Sequence, residues 1–217
     1  MTASPAVRHS PLESLGDALA SAAPSTAGAV ALRELPFLAQ VDLRCDPSDS
    51  SVMRRVEAAL GGAPGTALPI EPNTVATLGD LAILWLGPDE WLIVGSPGSE
   101  GDVEARLQQA LGDAVGSVVD VSANRTTIEV SGPAAHEMLA AGCAIDLHPR
   151  AFGPGRCAQT ALARAAVILH QTSDEPCYLI LVRPSFATYL ARWLQDALDG
   201  LDGLGDLETT LRSEGRT

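Results

Sequence analysis

The sequence predicts an α+β fold built from two ferredoxin-like (split βαβ) halves, on three observations. Segments in which apolar and polar residues alternate are interleaved with segments of helical period. Short turn signals, GD at residues 79–80 and GPDE at 87–90, separate successive alternating segments and suit antiparallel meanders. The order strand, helix, strands, helix occurs twice along the chain.

The elements follow in order. "LAQVDLRC" (38–45) sets Ala39, Val41, Leu43 and Cys45 on one face of a strand. Asp46 offers a helix cap and Pro47 a first helical position. Val52, Val56, Ala59 and Leu60 then recur at helical spacing until Gly61 and Gly62 stop the helix. "TVATL", "LAILWLG" and "EWLIVG" form a meander. Asp102 caps a second helix with Val103, Leu107, Ala110 and Leu111 on one face, and "VGSVVDVS" closes the half as a strand. In the second half "TTIEV" is a strand. "SGPAAHEMLAAG" is a short helix with Pro133 near its start and Gly142 as its stop. The loop "GCAIDLHPRAFGPGRCAQT" (142–160) leads to the strands "LARAAVIL" and "CYLILV", joined by "HQTSDEP". Ser185 caps a last helix with Phe186, Tyr189, Leu190, Trp193, Leu194 and Ala197 on one stripe. Residues 35–121 are thus the first half and 122–198 the second half of one globular body. Residues 1–34, rich in Ala, Ser and Pro, read as an extended or flexible arm with a weak helical turn set near 12–19. Residues 199–217, with repeated Gly and Asp, read as a flexible acidic tail.

Composition excludes several functions. The 217 residues are 46% hydrophobic, enough for a packed core. A net charge of −13, with 14 arginines and no lysine, argues against nucleic acid and against an anionic membrane surface. Without lysine there is no P-loop lysine and no Schiff-base anchor. The longest apolar runs, 81–86 and 165–169, fall far short of the roughly 20 residues of a membrane span. The N-terminus lacks the compact basic start and continuous apolar centre of a signal peptide. A cytoplasmic protein with reduced cysteines is expected.

The 142–160 loop holds the densest chemistry. Cys143, His148 and Cys157 are spaced C-x4-H-x8-C, and Asp146, Cys177 or Cys45 would have to complete a zinc site; the spacing is a poor copy of a zinc knuckle. The same residues offer a thiol and a base, but a Cys–His nucleophile also needs proximity and an orienting group. The alternative is that the cysteines are small buried hydrophobes and His148 lies at a loop surface. "GGAPG" (61–65) neither follows a strand nor opens a helix, so it is no dinucleotide fingerprint. Trp85 and Trp91 flank the GPDE turn and either fill the core or present an aromatic contact to a partner. Arg150, Arg156, Arg164 and Arg183 gather in the second half. They can hold a carboxylate or phosphate, tie loops down, or pair with acidic residues of a partner.

Two blocks, "LGPDEWLIV" (86–94) and "VVDVSANRTTIEVSGPAAHEMLAAGCAIDLHPRAFGPGRCAQTALARAAVIL" (118–169), resemble the gamma subunit of bacterial heterotetrameric sarcosine oxidase. The similarity runs over about 35–198. More distantly the chain is similar to the folate-binding domain of the glycine-cleavage aminomethyltransferase, where a strand also leads into "SGPxA", a helix, a "PGR" loop and a hairpin. In that relative the hairpin supplies a catalytic carboxylate. Here Leu169 and His170 stand at the matching positions, and Asp174 and Glu175 lie further along the turn. The resemblance therefore implies a chain with no catalytic, cofactor-binding or metal-binding residues of its own. It implies assembly with alpha, beta and delta subunits that carry FAD, covalent FMN, NAD, tetrahydrofolate and zinc. That complex converts sarcosine, oxygen and water to glycine, hydrogen peroxide and formaldehyde or methylene-tetrahydrofolate. The alternative is a free-standing tetrahydrofolate-binding or aminomethyltransferase-like protein. On the first reading, His148, Arg150, Arg156, Trp85 and Trp91 are the candidate partner interface.

Overall fold

The computed structural model describes residues 8–16, 19 and 30–214, of which 201–214 as backbone only. Ten strands make two five-stranded sheets, all of whose paired strands run antiparallel. The strands are β1 (Ala31–Leu35), β2 (Ala39–Cys45), β3 (Val75–Leu78), β4 (Leu81–Gly87) and β5 (Glu90–Gly95), then β6 (Gly116–Asp120), β7 (Thr126–Ser131), β8 (Arg156–Leu162), β9 (Ala165–Ser173) and β10 (Cys177–Val182). The helices are α1 (Ser50–Ala59), α2 (Glu100–Leu111), α3 (Ala135–Ala140) and α4 (Pro184–Glu214).

One sheet has the order β3-β4-β5-β2-β6 and the other β8-β9-β10-β7-β1. Written this way the two sheets are the same plan, strand for strand, with β1 in the place that β6 holds in the first. The doubled α+β reading is therefore correct, with one addition. The second half has no closing strand of its own among the described residues, and Ala31–Leu35, all but its last residue expected to be arm, fills that position against β7. Leu12 and Leu19, on either side of a single 3-10 turn at Glu13–Leu15, are also buried in the core of this half. Residues 1–7, 17–18 and 20–29 of the expected arm lie outside the described residues.

The layers follow from strand alternation. Val41, Leu43, Ile83, Trp91 and Ile93 point to one face of the first sheet, where α1 and α2 cover them with Val52, Val56, Val103 and Leu107. Ile128, Val130, Leu169, Tyr178 and Ile180 point to the outer face of the second sheet, beneath α3 and α4. The opposite faces meet each other through Leu84, Leu92 and Val94 on one side and Cys157, Ile168 and Leu181 on the other. The order is helix, sheet, sheet, helix, and the middle layer holds the fewest buried apolar residues.

Helix starts differ from expectation in detail. Asp49, not Asp46, caps α1, its Oδ1 accepting from Ser51 N at 2.9 Å and Val52 N at 3.1 Å. Asp46 instead folds an Asx turn onto Ser48. Helix α2 starts at Glu100 rather than at an Asp102 cap, and α4 starts at Pro184, one residue before the expected cap at Ser185. Helix α4 runs on to Glu214, so the expected flexible tail is helical backbone over most of its length. Its buried stripe is Ala187, Leu190, Ala191, Leu194 and Leu198. Phe186 and Tyr189, expected on that stripe, are 44% and 39% exposed and contact each other edge to face.

Candidate functional site

The 142–160 loop spends its reactive groups on itself. Gly142 ends α3 against α4, where a Cβ would enter the ring of Trp193. Asp146 Oδ1 accepts from His148 N at 2.8 Å, and His148 Nδ1 accepts from Arg150 N at 3.2 Å. The His148 carbonyl takes the Ala151 and Phe152 amides at 2.7 and 2.9 Å. The imidazole thus completes a turn, while Leu147 and Phe152 anchor it in the core. The last part of the loop is not loop at all. From Arg156 it is strand β8, paired along its length with β9.

Cys157 is fully buried between the sheets, with Sγ 3.5 Å from Thr74 O and 3.4 Å from Trp85 O. Burial pushes its thiol up to about 11, and that of Cys45 likewise to about 11. Burial also raises Cys143. Thiols moved in this direction are poorer nucleophiles at neutral pH. Among the described residues no three His, Cys, Asp or Glu side chains gather as a metal ligand set.

The five residues of the candidate interface divide. His148 and Arg150 are exposed. Trp85 is half-buried, and directly opposite Trp91 in the β4/β5 ladder. Trp91 is a correction: it is wholly buried under α1 and α2, its Nε1 donating to Pro69 O at 2.8 Å, so it has no surface to offer a partner. Arg156 is half-exposed and already paired, Nη1 to Glu71 Oε1 at 3.0 Å. Around that pair the two sheets meet edge to edge, through Val75 N to Gly155 O at 2.8 Å and Cys157 N to Asn73 O at 3.0 Å.

At the hairpin, Leu169 faces the helices and is 1% exposed. His170, on the opposite face of β9, is buried, and burial lowers its pKa to about 4. A base held neutral this firmly in the sheet is not matched to proton transfer near neutral pH.

Sequence reading passed over Arg125. It sits one residue before β7, and Arg183 one residue after β10. Extending the ladder in which Thr126 faces Val182 puts the two arginines opposite each other. Both line a cavity of about 400 Å³ with Gln159, Thr160, Val167 and Ile168. The only available signal was that each arginine ends an apolar strand, and the pairing of those strands decides whether they meet.

The fold and site define the class first. Over 87% of this chain and 57% of the other, the structure is similar to the glycine cleavage system aminomethyltransferase T from Bartonella henselae, with a TM-score of 0.61 at 15% identity. The chain thus has the aminomethyltransferase-type two-sheet fold, with leucine and a buried neutral histidine at the hairpin. The family is also fixed. The pattern described as "Sarcosine oxidase, gamma subunit family" matches residues 44–199, and the chain belongs to that family. It is 45% identical to sarcosine oxidase subunit gamma of Corynebacterium sp. (strain P-1) over 196 residues, 90% of this chain and 92% of the relative. It is 43% identical to the gamma subunit of an Arthrobacter sp. over the same shares. Its structure is similar to a chain of the heterotetrameric sarcosine oxidase from Corynebacterium sp. U-96 in complex with pyrrole 2-carboxylate. That match has a TM-score of 0.80 at 38% identity, over 90% of this chain and 96% of the other. The resemblance carried by residues 86–94 and 118–169 is borne out.

Proposed function

We propose that this chain is a non-catalytic gamma subunit, assembling with the alpha, beta and delta subunits of a cytoplasmic heterotetrameric sarcosine oxidase. In this reading FAD, FMN, NAD, tetrahydrofolate and zinc belong to the partner subunits, which turn sarcosine into glycine with release of hydrogen peroxide. The observation that carries it is the match to a chain of such a heterotetramer, nearly complete in both directions. The side chains agree with it. The buried thiols are pushed up, His170 is pushed down, and no carboxylate stands at Leu169 or His170. No helix among the described residues is long and apolar enough to cross a membrane. Exposed His148 and Arg150, with the partly exposed Arg156 and Trp85, are the part of the expected interface that reaches the surface.

The test is co-expression with the flavin-bearing subunits of a heterotetrameric sarcosine oxidase. The chain is expected to co-purify in equal stoichiometry with a flavin-absorbing complex that oxidises sarcosine. A flavoenzyme that assembles fully active without it, or tetrahydrofolate bound at micromolar affinity by the isolated chain, would overturn the reading.

A further inference from the structure

The mouth of the layer between the two sheets carries charge that the chain does not neutralise. Five arginines of this acidic protein are ion-paired: Arg8 with Glu100, Arg33 with Glu129, Arg44 with Glu90, Arg106 with Asp102 and Arg156 with Glu71. Arg55 is held by the carbonyls of Ala110 and Leu111. Among the described residues whose arginine side chain has no hydrogen bond or ion pair, only Arg125 is not exposed. Its neighbour across the strand is Arg183, equally unpaired. Like charges directly opposite in an antiparallel pair destabilise a sheet. Burial, and after it the Arg183 charge, pull the Arg125 pKa down.

The register explains why there is room. Val182 faces Val167 and Ala161 faces Ala166, so the row across the sheet reads Arg125, Arg183, Ala166, Ala161. Two long cations stand beside two methyl groups, and the space left is the cavity. The facing sheet offers only partial relief. Asp42 and Glu90 bear on Arg125 through space, but Arg44 engages both, at 3.8 and 2.6 Å. Neither carboxylate lies within ion-pair distance of Arg125. Gln159 is held across the cavity by its Nε2, which donates to the Leu86 carbonyl at 2.9 Å and so uses one of its two N–H groups. An open cavity with two guanidiniums at one end and Ala166, Val167 and Ile168 along its wall fits an acid on a short apolar stem.

From this we infer that Arg125 and Arg183 form a docking socket for an aspartate or glutamate side chain of a partner subunit. The inference rests on the gamma-subunit reading above. Arg125 is half-buried and Arg183 exposed, both unpaired in the free chain, and arginine is among the residue types enriched at interface anchors.

The test is assembly of the full complex with Arg125→Gln/Arg183→Gln, and with Arg183→Gln alone, followed by titration of the variant chain into the remaining subunits. The double variant is expected to melt no lower than wild type, because two repelling charges have gone. Its affinity for the other subunits should fall at least about tenfold, with a shallower dependence on salt. Exposed, unpaired Arg54→Gln serves as the control and should leave affinity unchanged. Equal affinity for the double variant and wild type would overturn the socket while leaving the gamma-subunit reading intact. So would stabilisation of the free wild-type chain by millimolar acetate or phosphate with no change in assembly, since the cavity would then take a free anion. A wild-type chain that fails to enter the complex at all would overturn both.

Discussion

Two regions of this protein look opposite in sequence and structure. The 142–160 loop concentrates cysteine, histidine, aspartate and arginine, and nearly all of that chemistry is consumed internally. Its histidine caps a turn, one thiol is sealed between sheets, and Arg156 reaches Glu71. Arg125 and Arg183 stand 58 residues apart in sequence and belong to no motif. Yet Arg125 is the half-buried arginine that the fold leaves unpaired among the described residues, and Arg183 stands opposite it. Residue types near one another in sequence indicate possible chemistry; what decides a site is which polar groups remain unsatisfied after the fold has used the others.

Trp91 gives the sharpest way to break that comparison. If the tryptophan pair were interface, removing Trp91 would spare stability and cost assembly. With the ring wholly buried and its Nε1 bound to Pro69 O, the opposite is expected. Trp91→Ala should lower the unfolding free energy by about 3–5 kcal/mol, read by urea denaturation of the free chain. Half-buried Trp85→Ala should cost clearly less. A Trp91→Ala chain as stable as wild type would return that residue to the surface.

His170 gives the next effect. Its folded pKa of about 4 lies below the ordinary value of 6.5 because burial disfavours the charged ring. Between those values the unfolded chain holds a proton that the folded chain does not. The folded state should therefore lose stability as pH falls from about 6.5 towards 4, and the loss from this group should then level off. The slope is at most about 1.4 kcal/mol per pH unit and the total on the order of 3 kcal/mol. Asp46 and Asp49, whose carboxyls are lowered by their hydrogen bonds to Ser48 and to Val52 and Ser51, act at lower pH, below their ordinary value of 3.8. Thermal melts of wild type and His170→Leu across pH 4–7 separate the two. The variant should lose less stability than wild type as pH falls from 6.5 towards 4, and parallel curves would mean that the imidazole takes up its proton in the folded chain.

What the sequence displayed was what local periodicity encodes. The meander of β3 to β5, both helices of the first half and the doubled plan were legible because burial on one face writes period 2 or 3.6 into the chain. Strands β1 and β8 were not. Both are edge strands of the same sheet, "ALREL" and "RCAQTAL", with too few large apolar residues to stand out from an arm and a loop. The exposure of Phe186 and Tyr189 was hidden for a related reason. A stripe of apolar residues wider than the sheet can cover leaves its flank in solvent, and only the packing of Leu190 and Leu194 fixes which flank. The Arg125–Arg183 pair needed the β7/β10 register, which no local pattern specifies.

The smallest expected effect concerns Arg156 and Glu71, and it separates a paired arginine from the unpaired Arg125 and Arg183. Their side chains are 41% and 67% exposed at 3.0 Å, so water screens the pair and a double-mutant cycle should give roughly 0.2–1 kcal/mol. The value should shrink with added salt. The joint between the sheets should hold in Arg156→Gln, since the backbone bonds of Val75 and Cys157 to Gly155 and Asn73 do not involve the side chain. Assembly of Arg156→Gln with the other subunits should stay within about twofold of wild type, because a guanidinium already answered by Glu71 has little left to give a partner. A tenfold loss of assembly from this variant alone would show that a paired surface arginine can anchor the complex. The distinction between spent and unspent charge would then fail at the position where it is easiest to measure.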